Sequence, residues 1–393
     1  MGGSPPTITL PAAAANRQQP PAGDQLAHRA SPAPGFSPAR MRKDPAVRAI
    51  LLNWRRLTAG RSTTPERGTL VACSGGADSC ALVLALSAAG RGNAGRLVVG
   101  HVVHDLRAER EALADRDAVR ELAMRLGLEF VEARVRVREG GGNLEARARE
   151  ARYAALAEMA RERGLGFVAV AHHADDQLET VLMSLLRGTG GVGIRGMRGK
   201  RTLQRGCDGR HAASRVRLIR PMLTGTTVID REACRRICGL AGFEWREDAT
   251  NADTTRLRAA LRDRVIPVLR ELRPAVTRRA IAAAEFSEQS QARLTRAARR
   301  TLRSARRPSA GELEWDRARL RGRDPILLGE LLRLAHRELR GREGADRLGK
   351  RAIGAVVRAI RDDSTEPRRL ALGIVSVEVT ARAVRCSARA PSR

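Results

Sequence analysis

From Pro45 onward the chain alternates short apolar runs with longer stretches in which apolar residues recur every three or four positions. Asp44-Pro45 sets a capping carboxylate before a proline at the first helical position, which predicts a helix over Ala46 to Leu57. Apolar runs typical of strands follow at Leu70 to Cys73, Leu97 to Val103, Glu129 to Val135 and Phe167 to Ala171. Helical spacing fills Ser79 to Ala89, Glu109 to Leu126, Leu144 to Arg163 and Asp175 to Leu186. Strands separated by helices of this length make βαβ units, so the expected fold class is α/β: a parallel sheet with helices on both faces. Arg217 to Leu223 offers a fifth strand. The Gly- and Arg-rich stretch between Gly188 and Ala213 has weak periodicity and reads as a mobile loop.

Asp230 to Leu272 reads as helical and stops at Arg273-Pro274. Beyond it the pattern is almost entirely helical as far as Arg361. Val375, Val377 and Val379 then alternate with Ser376, Glu378 and Thr380, a strand pattern following a turn at Gly373. The expected organisation is a disordered Pro- and Ala-rich leader over 1–40, an α/β catalytic domain over 41–273, and a mainly helical domain over 274–393 with a small C-terminal hairpin.

Charge changes this picture. The 393 residues carry 73 basic and 43 acidic side chains, a formal net charge of +30. Lysine occurs only at Lys43, Lys200 and Lys350, so the excess is arginine. Part of so one-sided a bias reflects codon composition, but the net charge still points to a polyanion, and nucleic acid is the commonest. Aromatic residues make up only 2%, which argues against a broad base-stacking platform. None of the six cysteines forms a CxxC pair, so neither a zinc knuckle nor a cysteine-ligated cluster is expected, and a reducing cytoplasm fits. No apolar run is long enough to span a bilayer, so no membrane partner is expected. Nothing calls for an obligate protein partner.

The most informative residues are Ser74-Gly75-Gly76-Ala77-Asp78-Ser79, set between a strand and a helix. Open α/β sheets bind ligands at that edge. The two glycines allow a tight turn whose N–H groups form an anion nest, and the helix start adds partial positive charge. Ser74 and Ser79 can donate to phosphate, and Asp78 can hold Mg²⁺. A Walker-type loop is excluded, since both Gly-Lys pairs, Gly199-Lys200 and Gly349-Lys350, are followed by arginine where serine or threonine is required. The formal GxGxxG at Gly188 to Gly193 follows a helix instead of a strand and fails as a dinucleotide fingerprint.

The hexapeptide resembles the SGGxDS signature of the PP-loop ATP pyrophosphatases. Further segments resemble one family within them, the tRNA(Ile)-lysidine synthetases: His101-Val-Val-His104-Asp105-Leu106-Arg107, Glu145 to Tyr153 as ExxARxxRY, Ala171 to Thr180 running on to Met197, Arg220 to Leu223, and Asp248 to Asp253. The resemblance covers about residues 68–270. It implies that ATP adenylates C2 of the wobble cytidine in a tRNA(Ile) with anticodon CAU. Free L-lysine then displaces AMP, leaving lysidine and pyrophosphate. ATP with Mg²⁺ would bind at Ser74 to Ser79, with His104 or Arg107 near adenylate or base. Asp176 and Glu179, three apart on one helix face, would bind Mg²⁺ or the lysine ammonium groups, or form only a solvated face. Arg152, with Arg149, would neutralise pyrophosphate or the anticodon. The expected catalytic set is therefore Asp78, Arg152, Asp176 and Glu179, with Asp78 and Asp176 on the metal. One departure stands out: the family's Arg-Asn-x-[Ile/Leu]-Arg run reads Arg258-Ala259-Ala260-Leu261-Arg262. A thiolase acting on tRNA cytidine and a non-catalytic basic RNA-binding protein are the alternatives. The first lacks its usual cysteine pair, and the intact Ser74, Asp78 and Ser79 speak against the second. In the helical region, arginines from Arg293 to Arg307 recur at spacings of three and four with no acidic residue between them, the pattern of a tRNA-facing helix or of a solvated surface.

Overall fold

The computed structural model describes residues 8–9, 36–59, 68–90, 96–106, 108–137, 144–188, 194–203, 216–223, 225, 227–246, 257–340 and 348–388. The chain divides into two compact units, Met1–Ala284 and Glu285–Arg393. Most of the leader expected over 1–40 lies outside the described residues. Within it Ile8–Thr9 forms strand β1, and Pro38–Met41 forms a helical turn, α1, whose Met41 is fully buried.

The first unit is built on a seven-stranded sheet. Its strands are β1, β2 (Thr69–Ala72), β3 (Leu97–His104), β4 (Glu129–Val135), β5 (Phe167–Ala169), β6 (Lys200–Thr202) and β7 (Arg217–Ile219), in the order β1-β4-β3-β2-β5-β7-β6. The five inner strands are parallel, and β1 and β6 close the edges antiparallel. Alternate residues serve opposite faces. Val71, Val99, Ala169 and Ile219 pack on one side with α2 (Pro45–Thr58), α3 (Ala77–Ser87), α4 (Glu109–Arg125) and α7 (Arg231–Leu240). Leu70, Val98, Val168 and Leu218 face the other side, covered by α5 (Leu144–Glu162). This two-sided burial explains why the strands read as continuous apolar runs. Asp44 caps α2 as expected, accepting from the N–H groups of Ala46 and Val47 at 2.8 and 3.1 Å.

Two expectations need correction here. The stretch from Gly188 to Ala213 is not simply a loop: Lys200–Thr202 is the edge strand β6, while residues 189–193 and 204–213 lie outside the described residues. A three-residue polar edge strand offers no apolar alternation to detect. The span from Asp230 to Leu272 is not one helix. α7 stops before Gly242, whose φ of +60° lets the Phe243 N–H turn back to Cys238 O. Helix resumes as α8 (Leu257–Ala260), widens through a π-turn at Leu261–Val265 and continues as α9 (Ile266–Leu272).

The second unit takes in the greater part of α10 (Val276–Arg303), with α11 (Arg317–Arg321), α12 (Pro325–Arg340) and α13 (Lys350–Arg361). These pack on a four-stranded antiparallel sheet ordered β8-β11-β10-β9, with β8 at Glu312–Asp316, β9 at Arg368–Leu372, β10 at Val375–Val379 and β11 at Ala383–Ala388. The expected hairpin, with its turn at Gly373, is thus the β9–β10 pair of a larger sheet. β8 sits where helix was expected; its Leu313 and Trp315 alternate into the core, a signal hidden by helical flanks.

Candidate active site

The chain winds from β2 through β3 to β4 on one side, then returns to β5 and β7 on the other, so the winding reverses between β2 and β5. That switch point is where a parallel sheet opens a crevice at its carboxyl edge. The loop after β2 and the segment after β5 face each other across it. Gly75 turns the loop at φ +94°, a conformation that favours glycine. Ser79 Oγ accepts from the Ser74 N–H at 3.0 Å and donates to Gly76 O at 2.9 Å, tying the loop to the first turn of α3. The Ser79 hydroxyl is therefore used inside the loop, while Ser74 is exposed to the cleft. Arg246 braces the loop from outside: its N–H donates to Gly75 O at 3.2 Å and its Nε to Asp115 at 2.8 Å.

Asp78 projects from the first turn of α3. Its Oδ2 lies 3.2 Å from Nε2 of the fully buried His173, an ion pair whose N–H is not aligned as a hydrogen bond. Its Oδ1 is buried and accepts no hydrogen bond of good geometry from the described residues, and the Cys234 thiol is the carboxylate's neighbour. Burial pushes the Asp78 carboxyl up, but His173 and Arg231 outweigh it and hold the group below its usual range. His173 also caps α6 (Ala174–Leu186): Nδ1 accepts from the Asp175 N–H at 3.2 Å, and the Asp176 carboxylate accepts from the His173 N–H at 3.1 Å. Burial alone would depress the imidazole. The carboxylates of Asp176 and Asp78 overcome it and raise His173 to about 9. Where Nδ1 accepts the cap bond, the ring's single proton is on Nε2, facing Asp78; the second proton that the carboxylates favour would sit on Nδ1, 3.7 Å from Asp176 Oδ2, in place of that bond.

Asp176 and Glu179 share one face of α6, as their spacing predicts, but the groups they meet are guanidinium. Glu179, fully buried, accepts from Arg258 Nε at 2.6 Å and Arg262 Nε at 2.8 Å. Asp176 accepts from Arg258 Nη2 at 2.9 Å through Oδ1, and its Oδ2 is the one that caps the helix. Burial works to raise Glu179, and the two arginines more than reverse it, holding it below its ordinary value. Where Mg²⁺, a lysine ammonium or only solvent was expected at Glu179, two guanidinium groups stand.

The cleft holds about 720 Å³ and is lined by Ser74 to Ser79, His101, His104, Arg152, Tyr153, His172, Asp176, Arg231, Arg235, Arg246 and Arg262, among others. That volume suits a nucleotide-sized ligand. His101 donates from Nδ1 to Cys73 O at 2.9 Å, and burial keeps its pKa low, so a neutral ring supports the base of the loop. His172 Nδ1 accepts from Arg220 Nε at 3.0 Å; burial and that arginine keep it neutral too. Ser74 to Ser79, His104, Arg152 and Asp176 are thus gathered in one cleft, with Glu179 just behind it. Arg107, Cys207 and Asp248 to Asp253 lie outside the described residues. Sequence reasoning missed the His173 bridge and the cleft arginines Arg231, Arg235 and Arg246, which nothing distinguishes in a chain so rich in arginine.

Among the described residues no three His, Cys, Asp or Glu side chains converge as a metal cage. Mg²⁺ beside a nucleotide needs none: one or two carboxylates with phosphate oxygens and water complete its octahedron. The buried Oδ1 of Asp78 fits that requirement. Asp176 accepts one hydrogen bond on each oxygen, which leaves each a second lone pair toward a cation.

The PP-loop domain model ATP_bind_3 matches residues 52–269. The tRNA(Ile)-lysidine synthase of Salinispora arenicola is 37% identical over 308 residues, 77% of this chain and 85% of that protein. The chain belongs to the tRNA(Ile)-lysidine synthase family. The Thermus thermophilus enzyme is 41% identical over 229 residues, 57% of this chain but only 39% of its own length. The Bordetella bronchiseptica enzyme is 39% identical over 249 residues, covering 61% and 64%. Among solved structures, the U34-tRNA thiolase NcsA of Methanococcus maripaludis with its [4Fe-4S] cluster aligns with 62% of this chain and 80% of its own, at 14% identity and a TM-score of 0.47; so slight a likeness carries no weight here. Where the family run usually has asparagine, Ala259 sits on α8 between two arginines that still reach Glu179. The ion cluster therefore stands without that amide.

Proposed function

We propose that the chain ligates L-lysine to C2 of the wobble cytidine of tRNA(Ile) with anticodon CAU, using ATP. The observation that carries this reading is the buried Asp78 oxygen beside the Gly75-Gly76 nest, at a helix start inside the family's cleft. In the first step cytidine O2 attacks the α-phosphate of ATP, forming the adenylated base and releasing pyrophosphate. In the second, the lysine amine attacks C2 and AMP departs with the oxygen. Backbone N–H groups of the loop and the α3 start stabilise charge on the phosphates. Mg²⁺, held through Asp78, would offset the negative charge of the leaving pyrophosphate. Asp176 and Glu179 fix Arg258 and Arg262, and Arg262 faces the cleft. Arg152 faces the same cleft, and His104 lines it on the β3 side, at the adenylate.

Free lysine, tRNA and the cytoplasmic setting belong to the same proposal. No helix among the described residues is long and apolar enough to cross a membrane. The test incubates the chain with ATP and a CAU-anticodon tRNA transcript, with and without lysine. Pyrophosphate release should need the tRNA, AMP release should need lysine as well, and nucleoside mass analysis should find lysidine. No pyrophosphate under any condition would leave the RNA-binding alternative in its place.

A further inference from the structure

Three guanidinium groups gather on Tyr153 in the cleft wall. Arg201 lies 4.6 Å from the ring centre, Arg149 5.2 Å and Arg152 5.7 Å. Arg149 and Arg152 come from neighbouring turns of α5, and Arg201 comes from the edge strand β6. Buried behind them, Arg220 gives Nε to His172 and Nη1 to Arg198 O at 2.6 Å. Among the described residues none of the three stacked arginines pairs with a carboxylate. The neutral His172 offers no compensation. Burial, with Arg201 and Arg149 close by, pushes Arg220 itself down to about 10.

So many cations without an anion are costly to hold together unless a negative ligand completes the group. Stacking does not neutralise a guanidinium; it fixes the plane, leaving the edge N–H groups to donate in a rigid fork that matches phosphate. Arg152 and Arg201 are exposed, so the group opens from the cleft wall to solvent. The phosphates of ATP have the loop after β2. β6 stands three strands away in the order β2-β5-β7-β6, about 14 Å at the usual strand spacing. A second phosphate, entering from outside, is what this place fits.

We infer that Arg149, Arg152 and Arg201, stacked about Tyr153, hold a backbone phosphate of the RNA, with Arg201 as the positioning residue at the mouth of the cleft. This rests on the proposed RNA substrate. Two measurements on the full chain separate the sources of phosphate: affinity for a CAU anticodon stem-loop RNA by fluorescence anisotropy across salt, and ATP affinity by calorimetry without RNA. Arg201→Gln should weaken RNA binding on the order of tenfold, as loss of a charge-assisted contact does. It should also make the salt dependence shallower by about 0.7 to 0.9 of a slope unit, and leave ATP affinity unchanged. Tyr153→Leu should weaken RNA binding similarly, and the double variant should be no worse than either alone. If Tyr153→Leu fails to fold, the exposed Arg201→Gln and Arg201→Lys still decide, lysine restoring the slope but not the full affinity. Weaker ATP binding with unaltered RNA binding would give this phosphate to the nucleotide and overturn the inference. Unaltered binding of both would remove the subsite while the RNA substrate stands. A wild-type chain that does not bind the stem-loop would remove both.

Discussion

Arginine plays two opposite parts in this chain. Arg258 and Arg262 lie against the buried Glu179 and the capped Asp176, each guanidinium aligned on a carboxylate at hydrogen-bonding distance. On α10, Arg293, Arg296, Arg299, Arg300 and Arg303 are exposed and pair with no carboxylate among the described residues. The first pair has been desolvated in exchange for specific contacts, so its removal leaves a buried charge unmatched. The second group has kept its water, and each member is worth little to the fold. In a chain with so much arginine, partner and burial are what separate a working residue from a solvated one.

The largest effect is expected at Asp78, which faces the other side of the His173 ring from the Asp176 that Arg258 holds. Asp78→Asn keeps the shape of the side chain but removes the charge beside the loop. Pyrophosphate release should fall by about 10²- to 10³-fold, the size of effect seen when transition-state charge loses one stabilising group. The melting profile should remain cooperative. Turnover within a few-fold of wild type would take Asp78 out of the metal's coordination.

Glu179→Gln should cost about 3 kcal/mol of stability by leaving Arg258 and Arg262 without their counter-charge. The pH dependence has a definite sign. Because the folded Glu179 sits below its ordinary pKa, its contribution is present above about pH 4.5 and is lost as pH falls through the lowered value. The gap between wild type and variant, read from urea melts from pH 7 down to 3, should therefore narrow on acidification. A gap that is constant over that range would mean the carboxylate's charge is not what holds the arginines.

Much of this was legible in the sequence, for physical reasons that differ by residue. The inner strands announced themselves because both faces are buried, and Asp44 and Gly75 because a cap and a tight turn need those residue types. The Ser74 to Ser79 loop and the α6 carboxylates could be placed from spacing alone. The partners could not. Nothing local tells that Glu179 meets Arg258 and Arg262, some eighty residues on, or that His173 reaches across the switch point to Asp78. β6 was invisible because Lys-Arg-Thr carries no apolar period, and β8 because its alternation is short and lies among helices.

Within the second unit the contrast can be repeated. Arg317 is buried and donates to the carbonyls of Ala359 at 2.9 Å, Ile360 at 3.2 Å, Asp362 at 2.8 Å and Thr380 at 3.2 Å, closing the carboxyl end of α13. A lysine has one nitrogen and cannot serve so many acceptors. Arg317→Lys should therefore destabilise the protein by about 2 kcal/mol despite keeping the charge. Chemical denaturation checks it, and a change under 0.5 kcal/mol would show that water replaces the guanidinium without loss.

The smallest effect on the fold is expected on α10. Ala298 and Leu302 turn into the core of the second unit, which leaves Arg296, Arg299 and Arg303 on exposed faces of the helix. Replacing all three with Gln should change stability by no more than about 0.5 kcal/mol per site, as for surface positions generally. If tRNA lies against this row, each lost phosphate contact should flatten the salt dependence of binding by about 0.9 of a slope unit or slightly less, with ATP affinity untouched. Such contacts fix position without reading sequence, so cognate and non-cognate tRNA should weaken together. An unchanged slope would mean that the row is only solvated, and that the positive charge of this unit does not mark where the tRNA binds.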